Sequence, residues 1–213
     1  MPLQNRVDPF GEVVRTPARG NLMGNRGGCF HDAGQELTQS RWKSRRWIAC
    51  LLEFRGRRRV VMQPRRYTEL FFLDEATALA AGHRPCAQCR WADFNRFKTA
   101  WLVGNADRGV DPGDSIDEID VHLQHERVDR RGRKLTSRAM TDALPDGSMV
   151  ALDESPQTAR IIWGDRLLAW SFEGYGEPLP RSGGLEVTLL TPVSIVRAVV
   201  AGYRPAVHAS LAM

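Results

Sequence analysis

The chain has 213 residues, 42% hydrophobic and 26% charged, with a formal net charge of +5, and 27 of its 30 basic residues are arginine. This composition is typical of a globular protein with one large domain or two small ones, and no apolar run approaches the ~18 residues of a membrane span, which excludes membrane and fibrous classes. The first eleven residues lack the basic and apolar regions of a secretory signal. We therefore expect a cytoplasmic protein without membrane contact, whose four cysteines bind metal or are buried rather than forming a disulfide scaffold.

A basic β-hairpin is predicted over residues 47–62. Residues 47–54 form an apolar run of strand length, residues 55–57 supply the turn, and residues 59–62 are the predicted partner strand. Between residues 41 and 66, ten basic residues face a single acid, Glu53.

This concentration of arginine predicts a surface that contacts nucleic acid. The planar guanidinium suits bidentate phosphate contacts and stacks on rings. A charged hairpin that avoids edge-to-edge pairing is the alternative interpretation. The candidate phosphate-binding residues are Arg45, Arg46, Arg57, Arg58, Arg59, Arg65, Arg66 and Arg90.

Two helices are predicted on either side of Cys86-Ala87-Gln88-Cys89. An apolar segment at residues 67–73 precedes Asp74, which is the expected N-cap of an alanine-rich helix over 75–81 that Gly82 ends. Beyond the cysteines, aromatic side chains at three- and four-residue spacing form the apolar stripe of the second helix: Trp91, Phe94, Phe97 and Trp101.

The C-x-x-C sequence is the most specific chemical feature of the chain. Two thiolates three positions apart can hold a tetrahedral zinc ion at two corners, and the positive end of a following helix favours the thiolate form. A redox dithiol is one alternative, although a helix rather than the usual strand precedes the motif. Unliganded structural cysteines are the other.

The motif has a distinctive context in Ala81-Gly82-His83-Arg84-Pro85-Cys86-Ala87-Gln88-Cys89-Arg90, which follows an aromatic strand end and a helix rich in Glu and Ala. Residues 67–90 resemble the zinc-binding module of Ada-type DNA alkylation-repair proteins, and similar modules are appended to some bacterial nucleases. The resemblance covers only these residues. It implies zinc as the metal, DNA as the partner, and Cys86 and Cys89 as two of four ligands.

The other two ligands of that family lie upstream in a compact C-x-x-x-C or H-x-x-x-C pair, which this chain lacks. The candidates here are Cys29, His31 and Cys50. Cys29 and His31 share one face if that segment is a strand, while Cys50 in its apolar run is also explained by simple burial. We expect Cys50 together with either Cys29 or His31. No position matches the cysteine that accepts a methyl group from DNA in the Ada-type proteins, so methyl transfer is not expected.

The second half of the chain predicts an acidic connection followed by a β-rich unit. Residues 105–126 carry seven acids against one arginine, and Ser115 to Glu118 is a capping box that begins a helix ending near Val128. A last helix follows Thr191-Pro192 and runs to about residue 201. Four strands are predicted in between, at residues 149–152, 159–163, 167–172 and 185–190.

The sequence thus predicts an α+β fold in three parts: a basic zinc-binding domain at residues 1–104, an acidic connection at 105–140 and a small β-rich domain at 141–213. The expected function is zinc-dependent binding of nucleic acid, with DNA and damage handling implied by the resemblance. The alternative is a metal-dependent or metal-stabilised enzyme acting on nucleic acid, such as a nuclease or glycosylase, with an active site where residues 19–31, His83 and the His122/His125 helix come together. Turnover of the nucleic acid separates the two.

Overall fold

A computed structural model describes residues 1–57, 60–111 and 113–212. Within these residues it confirms the α+β class, with two six-stranded sheets and four α-helices. Each helix of this described part is too short or too polar to cross a lipid bilayer.

The first sheet is built from the N-terminal half and has the strand order β2-β1-β5-β3-β4-β6. Most neighbours are antiparallel, but β1 with β5 and β4 with β6 are parallel pairs. Its strands are β1 (Gln4–Val7), β2 (Val13–Arg15), β3 (Leu22–Arg26), β4 (Trp47–Leu51), β5 (Leu70–Phe72) and β6 (Arg84–Pro85).

The predicted basic hairpin is wrong. β4 pairs antiparallel with β3, where Met23 faces Cys50, and parallel with β6, where Ala49 faces Pro85. Both edges of β4 are therefore occupied by strands from elsewhere in the chain. The described residues from 52 to 69 form turns and loop, beginning with a backbone bond from the Arg57 amide to the Phe54 carbonyl at 3.2 Å.

The four helices agree with their sequence signals. They are α1 (Glu75–Ala80), α2 (Trp91–Gly104), α3 (Ile116–Arg127) and α4 (Val193–Val200). The Asp74 side chain accepts the Thr77 amide at 2.9 Å and so caps α1. Ser115 and Glu118 form the reciprocal capping box of α3. Gly82 adopts the left-handed φ of +83° that ends α1.

The second sheet is antiparallel, with the order β11-β10-β9-β8-β12-β7. The four predicted strands correspond to β8, β9, β10 and β12. The edge strand β11 contains two glycines and two prolines, which mask a strand signal. The bounds are β7 (Ser137–Met140), β8 (Met149–Leu152), β9 (Ser155–Trp163), β10 (Arg166–Ser171), β11 (Gly174–Pro180) and β12 (Glu186–Leu189).

α1 lies where the two halves pack together. Ala76 and Ala80 on one face of α1 belong to the same buried cluster as Met149 and Ile161 of the second sheet. Leu79 belongs to another cluster, which α2, α3 and α4 share. The divisions predicted at residues 104 and 140 therefore separate segments that share their hydrophobic cores.

Candidate metal centre

Three of the four cysteines converge between the first sheet and α2. Cys50 lies on β4, while Cys86 and Cys89 lie in the turn from β6 to α2. Their sulfur atoms are all within 4.8 Å of one another, and no other group of His, Cys, Asp or Glu in the described part of the chain is arranged in this way. Sulfurs bound tetrahedrally to zinc at ~2.3 Å would be about 3.8 Å apart, so the cluster can hold a metal ion with little movement.

Strand register brings the three cysteines together. The parallel pairing of β4 with β6 sets Ala49 opposite Pro85, and the Cys86 amide donates to the Ala49 carbonyl at 2.9 Å. Cys86 is thereby fixed next to Cys50. The Arg90 amide then bonds to the Cys86 carbonyl at 3.0 Å, which closes the turn carrying Cys89.

The cluster favours thiolates at Cys86 and Cys89. A hydrogen bond from Cys50 and the backbone amides of Cys89 and Gln88 lower the pKa of Cys86 to about 5. The pKa of Cys89 is also lowered, first by Cys50 and then by the Leu51 amide, which lies 3.4 Å from its sulfur. The pKa of Cys50 is raised, because it donates these hydrogen bonds and is partly removed from solvent. A metal ion bound here would replace the Cys50 proton that the three sulfurs share through these hydrogen bonds.

Cys29 and His31 are not part of this cluster, so the structure does not bring the expected fourth ligand next to the other three. Cys29 follows the end of β3, whereas Cys50 faces Met23 near the start of that strand. The Cys29 sulfur lies 3.7 Å from Nδ1 of His31. That nitrogen is 2.7 Å from the hydroxyl of Thr68, so the two side chains make a separate set of contacts.

A cavity of about 430 Å³ adjoins the cluster, and all three cysteines form part of its wall. Its floor is one face of the strands β5, β3 and β4, where alternate residues point the same way. At one side Glu69 is buried, and its carboxylate accepts the Met62 amide at 2.7 Å. The floor residues are Met23, Asn25, Ile48, Cys50, Glu69 and Phe71.

The sequence did not predict this cavity. It depends on β3, whose residues Leu-Met-Gly-Asn-Arg lack a clear strand pattern because Gly24 and Asn25 interrupt the apolar run. The adjacent residues Arg19 to Gly28 carry four glycines, a composition more typical of loop. Only the pairing of β3 with β4 and β5 reveals the shared face.

The candidate arginines differ in their surroundings. Arg45, Arg46, Arg57, Arg65 and Arg66 are exposed. Of these, Arg46 pairs with Asp117 at 2.9 and 3.0 Å. Arg57 lines the cavity and lies 3.4 Å from the side-chain oxygen of Gln88. The remaining two loop candidates, Arg58 and Arg59, lie outside the described residues.

Arg90 is a correction to the predicted surface. Its side chain is 3% exposed, and its guanidinium bonds to Glu75 at 2.7 Å and to Asp93 at 2.9 Å. The Arg90 side chain, just before α2, points into the interior, where the carboxylate of Glu75 needs a counter-charge. Arg90 therefore stabilises the fold and is not available to a phosphate backbone.

Other arginines are also internal. The guanidinium carbons of Arg26 and Arg127 lie 4.1 and 4.2 Å from the Trp47 ring, so this indole has two cation–π partners. Arg84 makes a bidentate ion pair with Asp120 at 2.7 and 2.8 Å. Part of the arginine content of the chain thus serves packing rather than the surface.

Comparisons with protein-family models, with curated proteins and with solved structures found no match. The geometry therefore defines the class of protein: an α+β chain with a cluster of three cysteines that can hold a metal ion. The likeness of residues 67–90 to the Ada-type module rests on the motif alone.

Proposed function

We propose that this chain is a zinc-containing protein that binds nucleic acid, with DNA as the expected form. The observation that carries the proposal is the position of Arg57. It is exposed, it belongs to the loop between β4 and β5, and it lines the same cavity as the three cysteines. A metal ion in the cluster would hold the base of a loop rich in arginine.

Zinc is the metal favoured by the donor set. Thiolates are soft ligands that select zinc, copper(I) or iron–sulfur clusters over magnesium and calcium. A C-x-x-C turn with a third cysteine on a neighbouring strand supplies three corners of a tetrahedron, the usual geometry of zinc. The resemblance to the Ada-type module points to the same ion.

The arginine loop has the chemistry of a phosphate-binding surface. Its described arginines are exposed, and Arg55 and Arg57 lie 5.1 and 5.6 Å from the Phe54 ring. The loop is anchored to the cluster where the Leu51 amide meets the Cys89 sulfur. Guanidinium groups on an anchored loop lose less freedom when they bind phosphate, which strengthens each contact.

The test compares duplex DNA binding by Arg57→Ala and Arg166→Ala over a range of salt concentrations. Arg166 is a matched control, since it lies on β10 in the other sheet and has Asp165 no closer than 3.9 Å. If Arg57 contacts one phosphate, its loss should weaken binding several-fold and reduce the slope of log K against log salt by about 0.9. The control should match the parent.

Undetectable or salt-insensitive binding by the parent protein would contradict the proposal. The same samples also test the enzyme alternative, because an enzyme leaves cleaved or base-free product whereas a binding protein leaves the duplex intact.

A further inference from the structure

We infer that a metal ion held by Cys50, Cys86 and Cys89 takes its fourth ligand from a small thiol bound in the adjoining cavity. The inference rests on the zinc part of the proposed function and is independent of nucleic-acid binding. It is based on three observations: the protein supplies three metal ligands, a cavity adjoins them, and the soft metal site and the apolar cavity wall both suit a thiol.

The protein supplies three donors. Among the described residues, no fourth His, Cys, Asp or Glu lies with the cluster. The four residues outside the description are arginine, arginine, proline and methionine, so none is of these types. Cys29 and His31 make their own contacts with each other and with Thr68. Zinc sites with three protein ligands keep one position for a ligand from outside, in contrast to closed structural sites.

The cavity gives that position a suitable space. All three cysteines form part of its wall, and its volume of about 430 Å³ is in the range of small-molecule sites. Much of the remaining wall is apolar. Its apolar side chains include Met23, Ile48, Phe54, Val61 and Phe71.

A thiol fits this site better than a hard ligand. A metal with three thiolates is soft and prefers sulfur, while the apolar wall accepts an aliphatic or aromatic body. The carboxylates of Glu53 and Glu69 and the guanidinium of Arg57 all lie on this wall, so its charges do not select an anionic ligand over a thiol. On binding, the thiol releases its proton to solvent and its sulfur forms a bond to the metal, without any change of oxidation state.

The experiment uses the full chain with Co²⁺ in place of zinc, because cobalt reports its ligands by absorption. Addition of ethanethiol should increase the sulfur-to-cobalt charge-transfer absorbance by about one third, as three thiolates become four around a tetrahedral ion. Ethanol, which has the same body without the soft donor, should have no effect.

Variants then locate the thiol. Ile48→Phe and Val61→Phe fill the cavity from the sheet and from the loop, and either should raise the ethanethiol concentration for half-saturation at least several-fold while cobalt still binds. Two positions are used so that one failure to fold leaves the other informative. Val200→Phe is the control, since Val200 is 66% exposed and lines a different cavity.

The outcomes separate the two proposals. A protein that binds no cobalt overturns both the zinc site and the thiol ligand. Cobalt with three thiolates and no response to ethanethiol overturns only the thiol ligand, as does a stronger response to imidazole. A four-thiolate spectrum before ethanethiol is added, lost in Cys29→Ser, would assign the fourth position to the protein itself.

Discussion

Cys29 and Cys50 have similar exposure but different surroundings. Both are half-buried. Cys50 lies within 4.8 Å, sulfur to sulfur, of two other cysteines, whereas Cys29 lies beside His31. The surroundings of each thiol are therefore set by its neighbours and not by its burial.

This difference gives a direct test at the level of single residues. We expect Cys50→Ser to reduce the zinc content from about one ion per chain to well below half, because only two thiolates then remain. Cys29→Ser should retain the parent content. Metal content would be measured by mass spectrometry on protein purified without a tag.

Cys86→Ser should behave like Cys50→Ser, and His31→Ala like Cys29→Ser. Loss of zinc on changing Cys29 or His31 would show that one of them moves into the metal site. That result would restore the fourth ligand that the sequence predicted.

At the level of elements, α3 docks onto the first sheet through two ion pairs of similar geometry but different exposure. Asp120 pairs with Arg84, and their side chains are 2% and 4% exposed. Asp117 pairs with Arg46, and their side chains are 59% and 65% exposed. Both contacts are bidentate.

Removing one partner should have unequal effects on the two pairs. Asp120→Ala leaves a buried guanidinium without its counter-charge and should lower the free energy of unfolding by about 3–5 kcal/mol. Asp117→Ala should cost about 0–1 kcal/mol, since solvent screens an exposed pair. Urea denaturation followed by tryptophan fluorescence would measure both. Equal losses would mean that burial does not govern the strength of this docking.

At the level of the whole molecule, the start of α1 joins the two halves. The Asp74 carboxylate accepts the Tyr175 hydroxyl at 2.7 Å, and the Glu75 carboxylate accepts the Tyr203 hydroxyl at 2.6 Å. Glu75 also accepts the Ala206 amide at 2.9 Å. These buried acids are therefore satisfied largely by residues more than 100 positions away.

A fragment of residues 1–140 should accordingly fail to form a cooperative fold. Without the second sheet, Ala76 and Ala80 would be exposed and the bonds from Tyr175 and Tyr203 to the two acids would be lost. We expect the fragment to lack the near-ultraviolet circular dichroism and the sharp urea transition of the full chain. A cooperative transition in the fragment would instead identify an independent N-terminal domain.

The helices were predictable because their signals are local. Asp74, the Ser115–Glu118 capping box and Gly82 each act on groups within a few residues along the chain. The spacing of Cys86 and Cys89 was equally local, so two ligands of the candidate metal centre could be named from the sequence. Cys50 was identified as a candidate, but its apolar run alone did not distinguish a ligand from a buried residue.

The errors arose where distant segments compete for the same edge or charge. Residues 47–54 were predicted to be one strand of a hairpin. In the structure, β3 and β6 occupy both edges of β4. Arg90 was predicted to lie on the surface. In the structure it is buried and forms an ion pair with Glu75. The pairing of β4 with β3 and β6, and of Arg90 with Glu75, cannot be recognised from residues nearby in the sequence.

The sequence by itself therefore determined the fold class, the helix ends and the C-x-x-C pair, because each depends on propensity, capping or spacing within one short segment. Only the tertiary structure decided the third cysteine, the cavity beside it and which arginines remain exposed. Those features depend on the register of β4 against β3 and β6 and on the docking of α1 to the second sheet. Contacts of this kind join residues far apart in the chain, and their energies are set by burial and pairing rather than by local sequence.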